Sequence, residues 1–270
     1  MAHSPETAAM GVRRFGRVNW MGLLTLAERE IRRFTAVWTQ TLLAPLATAG
    51  LFLLIFDLAL GARRGELMGV PFVQFLAPGI LMMQVIQNSF ANTSSSIVIA
   101  KVQGNIVDTL MPPLAPLELV LGYVAGGVAR GLLVACAVAL VFFPWLGLGV
   151  AHPFWALCFA VLGAAFMAVI GIMAGILATK FDHMAAITNF IVTPLSFLSG
   201  TFYSIETLPP LMQTISHLNP VFYLIDGMRY GVLGTSDVNP WAGVGVALAA
   251  ILTVGALVWR WFARGYRLKS

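Results

Sequence analysis

Six long apolar stretches dominate this sequence, and each could cross a lipid bilayer as a helix. A transmembrane helix needs about 20 mostly apolar residues. Charged residues make up 10% of the chain, whereas a soluble domain carries about 25%. The sequence therefore predicts an all-α fold, a polytopic membrane protein with six transmembrane helices and no sizeable soluble domain around them. The predicted spans are Val37–Leu60, Phe72–Ala100, Leu119–Trp145, Pro153–Thr179, Met184–Tyr203 and Trp241–Phe262.

The segment before the first span has the pattern of an amphipathic helix at the membrane interface. Its apolar residues fall within about 100° of the helical wheel, and its charged residues occupy the rest. The predicted domains are a tail of residues 1–19, this interfacial helix at 20–36, the transmembrane domain at 37–263 and a tail at 264–270. The first tail lacks the pattern of a cleaved signal peptide. The apolar arc comprises Trp20, Leu23, Leu24, Ala27, Ile31, Phe34 and Trp38.

The distribution of Lys and Arg predicts the orientation of the spans. Cytoplasmic loops of membrane proteins carry an excess of these residues. With the N-terminus inside, 12 of the 16 Lys and Arg residues fall on the cytoplasmic side, three fall outside and Arg130 lies within a span. We therefore expect both termini in the cytoplasm. The basic residues flank apolar segments, so membrane lipids are the expected partners, and nucleic acid is not.

The sequence lacks the patterns of catalysis, metal binding and nucleotide binding. Cys136 and Cys158 both fall in apolar spans, and no two of the four histidines share a helix face with a carboxylate. A phosphate-binding loop requires a Lys between Gly and Ser or Thr. None of the three lysines has these neighbours, so we expect the chain to bind no cofactor. Any ATP would be used by another subunit.

Polar side chains inside two predicted spans indicate faces that avoid lipid. Gln84, Asn88 and Asn92 recur along one side of the second span, and Asn189 belongs to a similar set in the fifth. Such faces either form interhelical hydrogen bonds or line a substrate path. Arg130 is expected at the depth of Gln84, where it would either extend towards the inner interface or bond to a neighbouring helix.

The loop Lys101–Glu118 is longer than a connection between two spans requires. Its residues Val102, Ile106 and Leu110 would form one side of a short helix, which a pair of prolines would end. Apolar residues on such a hairpin suggest a docking surface for a cytoplasmic partner. The alternative is simple packing at the membrane interface.

The stretch Pro194–Gly231 follows the fifth span and contains two apolar pieces that are too short to cross a bilayer. Prolines favour helices at Leu211–His217 and Val221–Leu233. Residues 206–234 are therefore predicted to form two re-entrant helices on the outer side, where a lid could dip into the outer leaflet. The alternative is an ordinary amphipathic loop.

This stretch resembles the signature region of the permease subunits of type-2 ABC exporters. The matching motifs are the Leu-Ser-Gly-Thr-Phe-Tyr end of the fifth span, Leu208-Pro209-Pro210 and Leu218-Asn219-Pro220. The similarity extends over most of residues 20–265 and includes the interfacial helix, the Phe-Leu-Ala-Pro-Gly start of the second span and the loop near Asn105. It is closest to single-domain bacterial inner-membrane permeases that work with a separate ATPase.

The resemblance implies a homodimer of six-span permeases with two ATPase subunits bound on the cytoplasmic side. ATP and Mg would be held by those partners. ATP-driven closure of the ATPases would open a path at the dimer seam. The residues implied in ATPase docking are Glu28, Arg29, Arg32, Arg33, Lys101, Asn105, Ile106 and Asp108.

The outer re-entrant helices would then close that path from above. The carboxylate and the arginine that lie one turn apart in the second of these helices, Asp226 and Arg229, can pair. The implied outer gate consists of Leu208, Pro209, Pro210, Asn219, Pro220, Asp226 and Arg229, and the residues at the path or seam are Gln84, Asn88, Asn92, Arg130 and Asn189.

Two other functions are weighed against this reading. A stand-alone secondary transporter usually couples transport to intramembrane carboxylates or histidines, and Asp57 is the lone acid within the predicted spans. A membrane enzyme acting on lipids would need convergent acid–base groups, which the sequence does not supply.

Overall fold

The computed structural model describes residues 18–61, 65–205 and 208–267. Most of the predicted tails, 1–19 and 264–270, lies outside these ranges, as do residues 206–207 of the predicted re-entrant region. Helices account for nearly all of the described secondary structure, so the all-α class is confirmed, with one small hairpin between Glu66–Leu67 and Val70–Pro71. The helices are α1 (Trp20–Thr35), α2 (Trp38–Phe56), α3 (Phe72–Val102), α4 (Ile106–Leu110), α5 (Pro116–Leu146), α6 (Pro153–Leu177), α7 (Phe181–Ile187), α8 (Thr193–Leu198), α9 (Pro210–His217), α10 (Pro220–Leu233) and α11 (Pro240–Arg264).

Four of the described helices are long and apolar enough to cross a membrane, judged by length and composition. They begin at Trp38, Pro116, Pro153 and Pro240, with mean hydropathies between 2.1 and 2.5. Helix α3 is 31 residues long and carries the polar stripe noted above. The six-span arrangement thus remains a prediction for α3 and for the segment that contains α7 and α8.

The fifth predicted span, Met184–Tyr203, differs most from the structure. Helical residues run from Phe181 to Leu198, with a π-helical turn at Thr188–Val192 between α7 and α8. Pro194 lacks a backbone N–H and crowds the preceding turn, and the π-helical turn lies directly before it. The helix stops before Gly200, which has a φ of 80°.

The long helices connect two ends of the molecule. At one end, called here the α1 end, α1 packs against the start of α5, and the Lys101 Nζ donates to the Ala178 carbonyl at 2.7 Å. At the opposite end, the His152 amide donates to the Gly231 carbonyl at 2.8 Å. Helices α9 and α10 lie at this opposite end.

Helix α3 forms the centre of the bundle and packs most closely against α5 and α6. Its contact with α6 depends on Gly171, because a Cβ atom there would lie 2.6 Å from the Phe90 carbonyl oxygen. Small residues at such crossings allow the backbones of membrane helices to approach closely. The core around α3 is therefore fixed by backbone proximity as well as by side-chain packing.

Candidate docking surface and polar path

Helix α1 contacts the rest of the bundle through one edge of its predicted apolar arc. Leu26, Ala27 and Phe34 are buried, whereas Trp20 and Leu24 are mainly exposed. The protein-facing side is turned by about 70° from the middle of the predicted arc. The helix is therefore held by the protein on one side and presents apolar residues outward on the other.

Glu30 is the most deeply buried charge of α1 and is fully inaccessible. Its carboxylate accepts hydrogen bonds from Ser96 Oγ at 2.7 Å, Arg29 Nη2 at 3.0 Å and Arg33 Nη2 at 3.1 Å. The Cβ of Glu30 also lies against Gly126, where a larger residue would collide with it. This one glutamate thus joins α1 to both α3 and α5.

Arg33 and Arg29 extend these connections to the neighbouring elements. Arg33 donates to the Asn92 carbonyl at 2.5 Å and to the Asn92 Oδ1 at 3.1 Å. Arg29 donates to Thr109 Oγ1 at 2.9 Å and approaches the Tyr123 hydroxyl at 3.4 Å. Burial acts to lower the pKa of Arg29, but attraction by Tyr123 and Glu30 outweighs it, so the net pKa lies above its ordinary value.

The start of α1 is fixed by a second buried acid. Glu118 Oε1 accepts the Asn19 amide at 2.7 Å, and its Oε2 accepts the Ala115 amide at 2.8 Å. The Asn19 side chain caps α1 through the Gly22 amide and also donates to the Pro113 carbonyl at 3.2 Å. The start of α1 is consequently tied to the first turn of α5 and to the loop that precedes it.

Most of the predicted docking residues line one groove at the α1 end. This groove has a volume of about 470 Å³ and is open to the outside. It adjoins a hollow of about 460 Å³ between α1 and the prolines of the loop, and another of about 620 Å³ beside Lys180. The predicted docking residues along the groove are Arg29, Arg32, Arg33, Asn105 and Asp108.

The exposed charges at and beside this groove include Glu28, Arg29, Arg32 and Asp108. Glu28 and Arg32 pair with each other at 2.6 Å, and both side chains are well exposed. The groove therefore offers charged groups of both signs to a partner.

Three predicted docking residues have structural contacts that the sequence did not show. Ile106 is only 7% exposed and packs in an apolar cluster with Leu26 and Leu119, so it is removed from the docking surface. Arg33 points inward to Glu30. Lys101 donates to the Ile176 and Ala178 carbonyls, both at 2.7 Å, and so caps the end of α6.

The predicted polar stripe of α3 is buried against its neighbours. Gln84, Asn88 and Asn92 are each at most 9% exposed. Arg130 lies on α5 and is partly buried. Asn189 is not brought to this stripe, because it lies exposed on the π-turn between α7 and α8.

At the opposite end, Asp226 and Arg229 form a buried network within α10. Their closest approach is 3.5 Å, and both are almost inaccessible. Arg229 donates to the Gly200 carbonyl at 2.7 Å and lies 4.1 Å from the centroid of the Phe75 ring. The predicted pairing is thus present, in a structural setting that fastens α10 to α3 and to the end of α8.

The carboxylate of Asp226 also orders the loop before α11. It accepts the Asp237 amide at 2.9 Å and the Val238 amide at 3.0 Å. Asp237 in turn accepts the Ser204 hydroxyl at 2.7 Å. Asn219 caps α10 through the Val221 amide at 3.0 Å. The second helix of the predicted gate is therefore firmly packed into the bundle.

The first helix of the predicted gate, α9, is much more exposed. Pro209 and Pro210 are exposed, whereas Leu208 and Pro220 are half-buried. Apolar side chains on α9 and at its end point outward and are 48–80% exposed: Leu211, Met212, Ile215 and Leu218. Of the two gate helices, α9 has fewer contacts with the rest of the chain.

The sequence analysis missed Glu30, Glu118 and Asp237 as organising residues. Glu30 lies one helical turn from Leu26 and one turn from Phe34. An acid in a row of apolar residues is the sequence pattern that could have indicated its burial. Within the described ranges, no three His, Cys, Asp or Glu side chains come together closely enough to hold a metal ion.

The bundle of long apolar helices with a buried polar stripe defines a polytopic membrane protein. The family model described as ABC-2 type transporter matches residues 21–233. The chain therefore belongs to the ABC-2 type transporter family and is a membrane permease of that type. The resemblance found in the sequence is thereby confirmed.

Individual relatives agree with this assignment. The chain is 38% identical to the inner membrane transport permease YadH of Escherichia coli K12, over 93% of this chain and 98% of the relative. It is 28% identical to nodulation protein J of Sinorhizobium fredii, over 71% of this chain and 72% of the relative. Nodulation protein J of Rhizobium leguminosarum bv. viciae is 27% identical over 86% of this chain and 88% of the relative.

Proposed function

We propose that this chain is the membrane-spanning subunit of an ATP-driven exporter in a bacterial inner membrane. Two copies form the translocation path, and separate ATPase subunits bind at the α1 end and hold ATP and Mg. The chain itself carries out no nucleotide chemistry. Six helical segments cross the membrane, with both termini in the cytoplasm.

The observation that carries this proposal is the groove built jointly by α1 and the loop before α5. The bond from Arg29 to Thr109 and the bonds that Glu118 accepts from Asn19 and Ala115 hold these two elements together, so they present a single surface. Arg32 and Asp108 remain exposed to a partner, and the adjoining hollows extend the surface to Lys180. A rigid surface of mixed charge suits the docking of a soluble subunit that must transmit force.

The exposed side of α7 and α8 supports pairing with a second copy. Asn189 is exposed on an otherwise apolar helical segment, beside Phe190 at 81% and Ile191 at 58% exposure. An amide facing lipid is unfavourable, whereas one facing a partner chain or a water-filled path is not. We therefore propose that the seam between two copies runs along this side.

The outer gate is assigned mainly to α9. Helix α10 is fixed to the bundle by Arg229 and Asp226, whereas α9 shows an apolar surface that a second copy or lipid could cover. Movement of α9 with the flanking Leu208–Pro210 turn would open the path, and α10 would serve as its support.

Docking is tested by co-purification with the separate ATPase subunit. We expect Asp108→Lys to reduce the ATPase recovered with the permease on the order of tenfold, because it reverses an exposed charge in the groove. Glu66→Lys is the matched control, since it makes the same charge reversal at an exposed position of the hairpin at the opposite end. Equal recovery with both variants would place the ATPase elsewhere.

Orientation is tested with single cysteines in a chain from which Cys136 and Cys158 have been removed. A membrane-impermeant thiol reagent is expected to label a cysteine at Gly65 in intact cells and to leave one at Asn105 unlabelled until the cells are opened. Gly65 lies at the opposite end and Asn105 beside α4. The reverse labelling pattern would overturn the proposed topology.

A stand-alone secondary transporter is the competing function. The permease in liposomes should move substrate only when the ATPase and ATP are present. Transport by the permease alone under an ion gradient would favour the competing function and remove the ATPase from the proposal.

A further inference from the structure

Unpartnered hydrogen-bond donors occur in neighbouring turns of α3 and α5, midway along the two helices. The Nε2 of Gln84, the Nδ2 of Asn92 and the Nε of Arg130 are all buried, and none has a hydrogen-bond partner among the described residues. The orientation of the Asn92 amide is fixed, because its Oδ1 accepts from Arg33. Its Nδ2 is thus a donor without an acceptor.

The pairing of α3 with α5 brings these residues to one side of the helix pair. A Cβ at Gly126 would lie 3.3 Å from the Asn92 Nδ2, and one at Gly131 would lie 3.3 Å from a methyl group of Val85. The two helices therefore run antiparallel. Starting from the contact of Gly126 with Asn92, Arg130 lies one turn further along α5 and Asn88 lies one turn back along α3, so the two are at the same level. Gln84 follows one turn further along α3.

The local charge balance is positive. The nearest acid, Glu30, is already shared between Arg29 and Arg33. The charge of Arg33 acts against that of Arg130. Arg130 takes part in none of the ion pairs found in the described part of the chain, and it is only partly buried, so its side chain can be reached from outside the bundle.

Buried donors that lack acceptors and a cation that lacks a counter-ion would both be satisfied by an anionic ligand. Fixed donors of this kind stabilise an oxygen-rich anion, and an arginine fork matches a phosphate or a carboxylate geometrically. Interhelical bonding, the first alternative for this stripe, accounts for Arg33 with Asn92 but leaves the remaining donors without a role.

We propose that Arg130, with Asn92 one turn away on the facing helix, binds a phosphate-type anionic group carried by a molecule that enters the membrane domain. The proposal rests on the proposed function in taking the accessible part of Arg130 to be within reach of a molecule in the translocation path. The anion can belong to a lipid headgroup or to a soluble phosphate compound, since the donors would recognise the same oxygens in both.

The test measures the thermal unfolding midpoint of the purified full-length permease in neutral detergent. The additions are phosphatidylglycerol, phosphatidylcholine and inorganic phosphate, with chloride at equal ionic strength. Arg130→Gln is compared with Arg264→Gln, which removes the same charge from an exposed position at the end of α11. No ATPase is present, so the result is independent of the docking experiment.

The wild-type chain and Arg264→Gln are expected to gain stability with the anionic ligand, and Arg130→Gln is expected to bind it at least tenfold more weakly. Without ligand, Arg130→Gln should unfold at the wild-type temperature or above it, because it loses a charge that has no partner. Stabilisation by phosphatidylglycerol alone identifies a lipid source, and stabilisation by inorganic phosphate identifies a soluble one.

Two results would overturn the site. One is an equal ligand response in wild type and Arg130→Gln. The other is a lower unfolding temperature of Arg130→Gln in the absence of ligand, which would mark Arg130 as a structural residue. Loss of ATPase binding in the separate docking experiment would leave the anion site standing.

Discussion

Replacing Glu30 with Gln is expected to lower the free energy of unfolding by about 3–5 kcal/mol, the usual effect of removing one partner from a buried ion pair. The variant leaves Arg33 without its counter-ion and turns an amide donor towards guanidinium donors. Ser96 would lose part of a charge-assisted hydrogen bond as well. Because Glu30 holds α1 to α3, ATPase recovery should fall together with stability.

The free energy of unfolding is measured by reversible unfolding in mixed detergent micelles, and the helix content is followed by circular dichroism. Glu28→Gln is the matched control on the same helix, since Glu28 is exposed and pairs only with exposed Arg32. Its change is expected to stay below about 1 kcal/mol. Similar losses in the two variants would mean that the burial of Glu30 does not anchor α1.

Replacing Gly171 with Ala is expected to lower the free energy of unfolding by about 3 kcal/mol, the upper end of the usual range for overpacking. The added methyl group would collide with the Thr93 hydroxyl and lie 2.6 Å from the Phe90 carbonyl oxygen, so the backbone of α3 has to move as well as a side chain. The crossing of α3 and α6 would widen, and the central contact of the bundle would loosen.

Gly255→Ala in α11 provides the comparison, because no atom lies within 4 Å of the added Cβ. That variant should unfold like the wild type or be slightly more stable, since Ala favours a helix over Gly. Both variants are measured by the same unfolding titration. A Gly171→Ala chain with the wild-type free energy of unfolding would show that the close contact of α3 with α6 is not required for stability.

The sequence predicted the long helices well because lipid-crossing segments have a strong compositional signal. Helix α6 begins at the predicted Pro153 and ends two residues before the predicted Thr179. The fifth segment was less predictable, since hydropathy carries no information on the π-turn before Pro194. Its true end depends on backbone geometry at Gly200.

The candidate site was harder to predict than the fold. Helical periodicity placed Glu28 and Glu30 together on the charged side of α1, yet one is exposed and the other is inaccessible. Their difference arises from the rotation of α1 on the bundle, which depends on contacts with Ser96 and Gly126 far along the chain. The pattern of residues in α1 alone therefore does not predict how the helix is rotated on the bundle.

The contacts that hold α1 also set an order of assembly during synthesis. Ser96 lies 66 residues beyond Glu30, and Glu118 lies 99 residues beyond Asn19. At a synthesis rate of about 5–20 residues per second, these partners are synthesised roughly 3–20 s after the residues of α1 that they contact. Throughout that interval the charges of Glu30, Arg29 and Arg33 must remain hydrated at the membrane surface. The docking groove can therefore appear only after α5 has begun to emerge from the ribosome.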